Sequence, residues 1–390
     1  MRKQAQGHLA AEFNFKDSAM SQPTTLINIQ ILRGFAALSV AFGHSAQEAT
    51  QLALRGGRAP LDTSFFNWGI GVDVFFVISG FIMVLTSADN FGQKGAPRRF
   101  LERRLARIVP LYWLLTTVLI LGALLVPTLL NVPLSELRHI IASYLFIPEL
   151  RANGEVRPVA ALGWTLNYEM FFYVLFATSM LFPLKRGIAL LTALFAAITL
   201  YGAIAQPHQT QIAFWTNSIT LEFLMGVFLG LGFRAGWRLN TGPALALIFL
   251  GILGTFRFGA EREGQEFFIE LIRSGLPGAA IVTGVALMPN LKPGRSVNAL
   301  TLMGDASYSL YLFHPFVIRP LREIWARTPL VTLPTPVFLI ACVVCVIAAS
   351  VLLYLYIERP MTRGLQRAMA AHKPSSPTTE MQSVQPHAAS

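Results

Sequence analysis

The stretch NIQILRGFAALSVAFGHS, residues 28 to 45, is mostly apolar and long enough for a helix that enters a membrane. It nevertheless carries a fixed cation, Arg33, and a titratable imidazole, His44. Their separation of eleven residues corresponds to three helical turns plus about 20°, with an axial rise of ~16 Å. The sequence therefore predicts that both side chains share one helix face, at different depths.

The composition of the whole chain predicts a polytopic membrane protein. Its 390 residues are 54% hydrophobic and only 13% charged, whereas soluble domains are about 25% charged. The net charge of +11 does not indicate nucleic acid as a partner, because membrane proteins collect Lys and Arg in their cytoplasmic loops. We interpret Cys342 and Cys345, one helical turn apart in an apolar run, as packing residues. No metal site and no bound cofactor are expected.

Apolar runs of about 20 residues recur along the chain, and each is enough to cross a hydrocarbon core of ~30 Å. We predict an all-α bundle of ten spans, at about 26–46, 68–88, 110–132, 163–183, 187–205, 212–233, 242–258, 271–288, 301–320 and 336–357. A polar N-terminal segment occupies 1–25 and the transmembrane domain 26–362. The tail, residues 363–390, is rich in Ser, Pro, Thr and Gln toward its end and is predicted to be disordered.

Charge in the predicted loops gives the orientation of the chain. With ten spans, every second loop carries clustered Arg and Lys, as in the run from Arg98 to Arg107. The alternate loops are neutral, balanced or acidic, as at residues 261–270. The positive-inside rule then places both termini in the cytoplasm.

Ionisable residues inside the predicted spans are the first candidates for a functional site, because a charge within the bilayer is expensive and faces the bundle interior. Four separate spans place such residues at comparable depth: His44, Asp73, Glu169 and His314. Structural roles remain alternatives. A buried histidine can hydrogen-bond to a neighbouring helix, and Asp73 can pair with Arg33 or cap a helix end.

The segment APRRFLERRLARIVPLYW, residues 96 to 113, has five arginines and one glutamate within ten residues. One interpretation is a positive-inside anchor that contacts anionic lipid. The other is a phosphate-binding patch on the cytoplasmic side, because guanidinium groups match phosphate bidentately.

Six motifs in this order make the chain resemble the membrane acyltransferase family 3, and most closely its exopolysaccharide-production branch, over about residues 26 to 362. They are LRGFAALSVAFGHS, GVDVFFVISGFIM, RRFLERRLARIVPLYW, LGWTLNYEMFFY, SYSLYLFHP and YLYIERP. The resemblance implies a ten-helix bundle in a bacterial-type cytoplasmic (inner) membrane. Such a protein transfers an acyl group, usually acetyl, from acyl-coenzyme A to a sugar hydroxyl of a polysaccharide or its lipid-linked precursor. It also implies that Arg33 and His44 are the signature pair and that Glu169 is functionally important.

These expectations give each candidate residue a role. His44 acts as the base on the acceptor hydroxyl, with Asp73 or Glu169 orienting its other ring nitrogen, or it carries the acyl group as a nucleophile. The residues expected to bind the donor are Arg33, Arg103, Arg104 and Arg107. The candidates for an acceptor or oxyanion site are Trp164, Tyr311 and His314.

The expected partners are acyl-CoA, a polysaccharide or lipid-linked sugar, membrane lipids and polysaccharide-synthesis proteins. The alternative function is a proton-coupled transporter or flippase for a polysaccharide precursor, since buried acids and histidines also suit such a carrier. A scaffold in a polysaccharide-synthesis complex is a further alternative. Consumption of acyl-CoA by the purified protein separates the enzyme from the transporter.

Overall fold

The structure, a computed structural model, describes residues 26–125, 136–258 and 267–371. Within these ranges the chain is helical, and the β-structure is one isolated bridge between Leu150 and Val156. The α-helices in chain order are α1 Ile27–Arg55, α2 Ile70–Ser87, α3 Ala96–Leu125, α4 Leu137–Tyr144, α5 Trp164–Ser179, α6 Leu184–Ala205, α7 Thr210–Trp215, α8 Leu221–Arg234, α9 Thr241–Phe258, α10 Leu276–Leu287, α11 Arg295–Asp305, α12 Ser307–Ala326, α13 Thr335–Leu353 and α14 Arg359–Ala371. A π-helical turn, Leu271–Gly275, precedes α10, and another, Tyr354–Glu358, joins α13 to α14.

Several of these helices have the character of membrane spans. Four segments are long and apolar enough to cross a membrane: Ile70–Asn90, Ala96–Leu125, Leu184–Ala205 and Thr335–Met369. Two shorter apolar helices are Thr241–Phe256 and Leu271–Leu287. The helices α1 and α12 are long, but they carry several polar and charged side chains. The all-helical class and its membrane character are therefore confirmed, whereas the count of ten spans and the cytoplasmic termini stay predictions.

The C-terminal boundary differs from the predicted one. Helix α14 continues to Ala371, through residues 363–371 that we assigned to a disordered tail. Its Met361 packs against the main hydrophobic core, and an apolar contact of this kind stabilises a helix that would be marginal in isolation. The predicted polar segment at 1–25 and the rest of the tail, 372–390, lie outside the described residues.

Aromatic rings hold the centre of the bundle together. Phe223 on α8 stacks against Phe76 on α2 and against Phe172 on α5, each with ring centroids 4.5 Å apart. Phe172 and Phe223 are fully buried and Phe76 nearly so. Such pairs contribute about 0.5–1.5 kcal/mol beyond the burial of their area, so these rings fix α2, α5 and α8 around one point.

Two glycines set the spacing between α2 and α8. A Cβ atom on Gly80 would overlap the backbone oxygen of Phe223, and one on Gly226 would overlap the backbone oxygen of Val77. Only a residue without a side chain allows this approach, which is typical of close helix pairs in membranes. Helix α2 is thereby held firmly against α8.

An ionic network joins α1 to α12. The carboxylate of Glu48 on α1 accepts a hydrogen bond from Arg322 on α12, and it lies 3.7 Å from Nε of Arg319. The side chains of Glu48 and Arg322 are 14% and 15% exposed, so this pair is more shielded from water than most surface ion pairs. Because Glu48 is one helical turn beyond His44, the network fixes the register of α1 against α12 beside that histidine.

Candidate active site

Two histidines from helices far apart in sequence form the centre of the site. Nδ1 of His44 on α1 lies 2.7 Å from Nε2 of His314 on α12, and the two rings are stacked with centroids 5.0 Å apart. His314 is fully buried. A hydrogen bond between two ring nitrogens needs one of them to be unprotonated, so at least one nitrogen of the pair carries no proton.

The second nitrogen of His314 decides the direction of this hydrogen bond. Nδ1 of His314 lies 3.1 Å from the backbone oxygen of Leu310, and a carbonyl oxygen only accepts. Nδ1 of His314 is therefore the donor, which leaves its Nε2 as an acceptor in the neutral ring. Nδ1 of His44 then donates to His314, and Nε2 of neutral His44 keeps a lone pair that can take a proton.

The sequence predicted an acidic partner for His44, and the structure gives it a histidine. Helix α5 directs Glu169 elsewhere, where its Oε1 accepts hydrogen bonds from Ser79, at 3.3 Å, and from Tyr173. Asp73 is buried on α2 and lines a different cavity. In the parts of the chain that the structure describes, no group of three or more His, Cys, Asp or Glu side chains could hold a metal ion.

A cavity of about 110 Å³, here called the arginine cavity, lies between α1, α2, α3, α5 and α12. Its polar lining comprises Arg33, Ser79, Arg104, Arg107, Thr165, Glu169, Tyr173, Ser307, Tyr308 and Tyr311. Three of the four arginines predicted to bind a donor thus face one cavity. The fourth, Arg103, is exposed and is not among the lining residues.

Hydrogen bonds hold several lining groups of the arginine cavity in place. Arg33 donates to Oε1 of Gln30 at 2.9 Å, and Arg104 donates to Oγ1 of Thr86 at 3.0 Å. The Tyr308 hydroxyl donates to the backbone oxygen of Ile108 at 2.7 Å. With three guanidinium groups and one carboxylate, Glu169, the lining carries an excess of positive charge, which suits a ligand with several phosphate oxygens.

Tyr311 connects the arginine cavity to the histidine pair. Its ring lines the cavity and also meets the ring of His314 edge-on, with centroids 6.5 Å apart. Its hydroxyl lies 3.1 Å from that of Thr165 at the start of α5. A ligand that reaches past Tyr311 therefore comes close to the histidines.

A second cavity, of about 330 Å³, is here called the polar cavity. Its lining comprises Asn67, Val72, Asp73, Glu155, Val156, Arg157, Trp164, Tyr168, Asn217, Ile219, Ile269, Glu270, Arg273 and Ser274. Val72 lines both cavities, so both border α2 at this residue. Of the residues predicted for an acceptor or oxyanion site, Trp164 lies in the polar cavity, Tyr311 in the arginine cavity and His314 in the histidine pair.

A tightly bonded loop forms one wall of the polar cavity. The guanidinium of Arg151 donates to the backbone oxygens of Arg157 at 3.1 Å and Val159 at 3.0 Å, and burial lowers its pKa from the ordinary value. Nε2 of His139 on α4 donates to the same Arg157 oxygen at 2.9 Å. These bonds fix the backbone of Arg157, whose guanidinium carbon lies 6.0 Å from the centre of the Trp164 ring.

Sequence reasoning missed Glu358 in the closing motif YLYIERP. This carboxylate is buried, and its Oε2 accepts hydrogen bonds from the backbone N–H of Ser309 at 3.2 Å and from its Oγ at 2.5 Å. It thus caps the first turn of α12, the helix that carries Tyr311 and His314, where a negative charge also complements the helix dipole. In the sequence, the signal that could have found Glu358 is its position as an acidic residue at the end of an apolar run.

Comparison with known proteins gives the family of the chain. The family model described as an acyltransferase domain matches residues 26–355. The chain belongs to the acyltransferase family 3. It is 35% identical over 315 residues to the exopolysaccharide production protein ExoZ of Rhizobium meliloti, a match that covers 77% of this chain and 92% of that protein.

Two further relatives share less of their sequence with the chain. The acyltransferase MdmB of Streptomyces mycarofaciens is 27% identical, over 90% of this chain and 95% of its own. The peptidoglycan O-acetyltransferase OatA of Listeria monocytogenes is 25% identical, over 70% of this chain and 47% of its own. No solved structure matches the chain. The family and these relatives identify the protein as an O-acyltransferase.

Proposed function

We propose that this family member is a multi-pass enzyme of the bacterial cytoplasmic membrane that moves an acetyl group from acyl-CoA to a sugar hydroxyl of an exopolysaccharide or its lipid-linked precursor. The observation that carries the proposal is the position of Tyr311, which lines the arginine cavity and whose ring meets that of His314, the hydrogen-bond partner of His44. The similarity to ExoZ supports a polysaccharide as the acceptor. The ten spans and the cytoplasmic termini are part of the same proposal, as are contacts with membrane lipids and polysaccharide-synthesis proteins.

The arginine cavity is the proposed donor site. Arg33, Arg104 and Arg107 bind the phosphate groups of the coenzyme through charge-assisted hydrogen bonds. The acyl end of the flexible pantetheine arm then extends past Tyr311. Arg103 is exposed and supplies only a long-range attraction to the same anion, which dissolved salt screens.

His44 is the proposed base. Its Nε2 takes the proton of the acceptor hydroxyl while the hydroxyl oxygen attacks the thioester carbonyl carbon. The tetrahedral intermediate collapses by breaking the carbon–sulfur bond, and the proton returns from His44 to the departing coenzyme thiolate. The Tyr311 hydroxyl and the indole N–H of Trp164 are the candidate donors to the oxyanion. In the alternative, Nε2 of His44 attacks the thioester carbon and the carbon–sulfur bond breaks, so that the coenzyme leaves as its thiolate. The acceptor hydroxyl oxygen then takes the acetyl group from His44 while its proton passes to the thiolate.

The test uses membranes that contain the protein, radiolabelled acetyl-CoA and a crude fraction of polysaccharide and lipid-linked sugar. The wild type is compared at equal expression with His44→Ala and with His208→Ala, a matched control because His208 is exposed. We expect labelled glycan with the wild type and with His208→Ala, and none with His44→Ala. Equal labelling with His44→Ala would remove His44 from catalysis, and no labelling with the wild type would contradict acetyl-CoA as the donor.

A further inference from the structure

We infer that the polar cavity is the acceptor site and that it binds a neutral sugar unit. The inference rests on the proposed function, since an enzyme that acylates a sugar must hold that sugar beside its base. It assigns a second site, separate from the arginine cavity, to the second substrate. Four observations carry it: the aromatic wall, the mixture of polar groups, the balance of charge and the position next to the arginine cavity.

The aromatic wall fits the face of a sugar ring. Trp164 and Tyr168, one helical turn apart on α5, both line the polar cavity, with ring centroids 6.0 Å apart and nearly perpendicular planes. The ring of Tyr168 is stacked on that of Phe214, with centroids 3.9 Å apart, and this contact fixes the orientation of the Tyr168 ring. The C–H groups on one face of a pyranose carry partial positive charge and pack well on the negative face of an aromatic ring.

The polar groups fit the edge of a sugar ring. A hydroxyl donates one hydrogen bond and accepts up to two, so a sugar needs donors and acceptors close together. The cavity offers carboxylates on Asp73, Glu155 and Glu270, guanidinium groups on Arg157 and Arg273, and the side chains of Asn67, Asn217 and Ser274. A volume of about 330 Å³ falls at the lower end of the ~300–1,000 Å³ typical of small-molecule sites.

The charge of the lining favours a neutral sugar. Three carboxylates face two guanidinium groups in the cavity, and Nε of Arg157 lies 3.9 Å from the Glu155 carboxylate. A uronic acid would bring a further negative charge next to these groups, and like charges brought together in a binding site cost affinity. The arginine cavity has the opposite balance, so the charge of the lining favours the anionic donor there and disfavours it in the polar cavity.

The position of the polar cavity allows its ligand to reach the base. It shares Val72 with the arginine cavity, whose lining residue Tyr311 meets the ring of His314. In this proposal the donor approaches the histidine pair past Tyr311, and the acceptor approaches it from the polar cavity. A sugar stacked on Trp164 can direct one hydroxyl toward Nε2 of His44 from the side opposite the thioester.

The experiment measures sugar binding without any donor. The purified wild type in lipid nanodiscs is titrated with neutral gluco- and galacto-tetraoses and with tetragalacturonate, and the quenching of tryptophan fluorescence is followed. We expect millimolar or tighter binding of at least one neutral tetraose and weaker binding of the uronate. Equilibrium dialysis, which does not need Trp164 as a reporter, should show sugar binding weakened about tenfold by Trp164→Ala and by Arg157→Gln. Trp164→Phe should keep the binding in dialysis and lose the fluorescence quenching.

The matched control is Trp237→Phe, because Trp237 is 61% exposed and outside both cavities. It should bind the tetraose as the wild type does and keep the quenching. Absence of binding by any neutral tetraose, or unchanged binding by Trp164→Ala and Arg157→Gln, would overturn the assignment. Acetyl transfer to glycan with an unchanged acceptor KM in those variants would overturn the acceptor site and leave the proposed function intact. If the variants lose sugar binding but the wild type transfers no acetyl group from acetyl-CoA, the sugar site stands and the proposed function is overturned.

Discussion

Nδ1 of His44 and Nε2 of His314 lie 2.7 Å apart although the two residues are 270 positions apart in the sequence. The contact joins the first helix of the bundle to α12. Nδ1 of His314 donates to the backbone oxygen of Leu310, so Nε2 of His314 accepts the proton of Nδ1 of His44. Nε2 of His44 is then the nitrogen that can take a proton. In the proposed mechanism the roles are distinct: His44 acts on substrate, and His314 acts through His44 as a positioning residue.

The first prediction concerns His314. His314→Phe fills a similar volume but leaves the N–H of His44 without its acceptor, so kcat should fall by about 10²-fold or more. His314→Gln offers an amide oxygen as a substitute acceptor and should recover part of this loss. Both variants should bind donor as the wild type does, measured with radiolabelled acetyl-CoA. A kcat for His314→Phe equal to that of the wild type would show that catalysis does not need the hydrogen bond between His44 and His314.

The second prediction uses two arginines of α3. Arg107 lines the arginine cavity, whereas Arg103, four residues earlier, is exposed. Arg107→Gln removes a charge-assisted hydrogen bond worth about 1.5–3 kcal/mol and should raise KM for acyl-CoA at least tenfold. Arg103→Gln removes the same charge outside the cavity and should change KM less than about twofold. Equal effects of the two substitutions would mean that the surface charge of α3, and not the cavity, attracts the donor.

The third prediction concerns the cap of α12. Glu358→Ala deprives the backbone N–H and hydroxyl of Ser309 of a buried acceptor and should cost about 1.5–3 kcal/mol of stability. Ser309→Ala removes the hydroxyl alone and should cost less. Thermal unfolding of the purified variants measures both losses. Adding Ser309→Ala to Glu358→Ala should lower the stability further by at most about 0.5 kcal/mol. Fully additive losses would show that the two residues do not act through one contact.

The fourth prediction concerns the α2–α8 contact. Gly80→Ala forces a methyl group against the backbone of Phe223, where no rotamer gives relief, so the cost should exceed about 4 kcal/mol. Gly242→Ala is the control, because no atom lies within 4 Å of its added Cβ. Size-exclusion chromatography after detergent extraction should show a folded peak for Gly242→Ala and aggregate for Gly80→Ala. A folded, active Gly80→Ala would mean that α2 and α8 separate easily.

Much of the fold follows from local sequence, because apolar runs and flanking charge determine where helices form. The boundary of α14 was missed because the contact that stabilises it, through Met361, is a tertiary one. The histidine pair could not be predicted as a pair, since periodicity shows which side chains share a helix face but not which helix lies opposite. Arg103 and Arg104 illustrate the same limit: Arg107 is within one turn of both, so spacing favours neither.

The packing of α2 has a consequence for the kinetics of the enzyme. Held against α8 at Gly80 and Gly226, it supplies Val72 to both cavities and forms a stiff partition between them. In the proposed arrangement the donor and the acceptor lie on opposite sides of this partition and do not compete for space, so each is expected to bind whether or not the other is present. Direct transfer then proceeds through a ternary complex, and plots of reciprocal initial rate against reciprocal donor concentration give lines that intersect instead of running parallel.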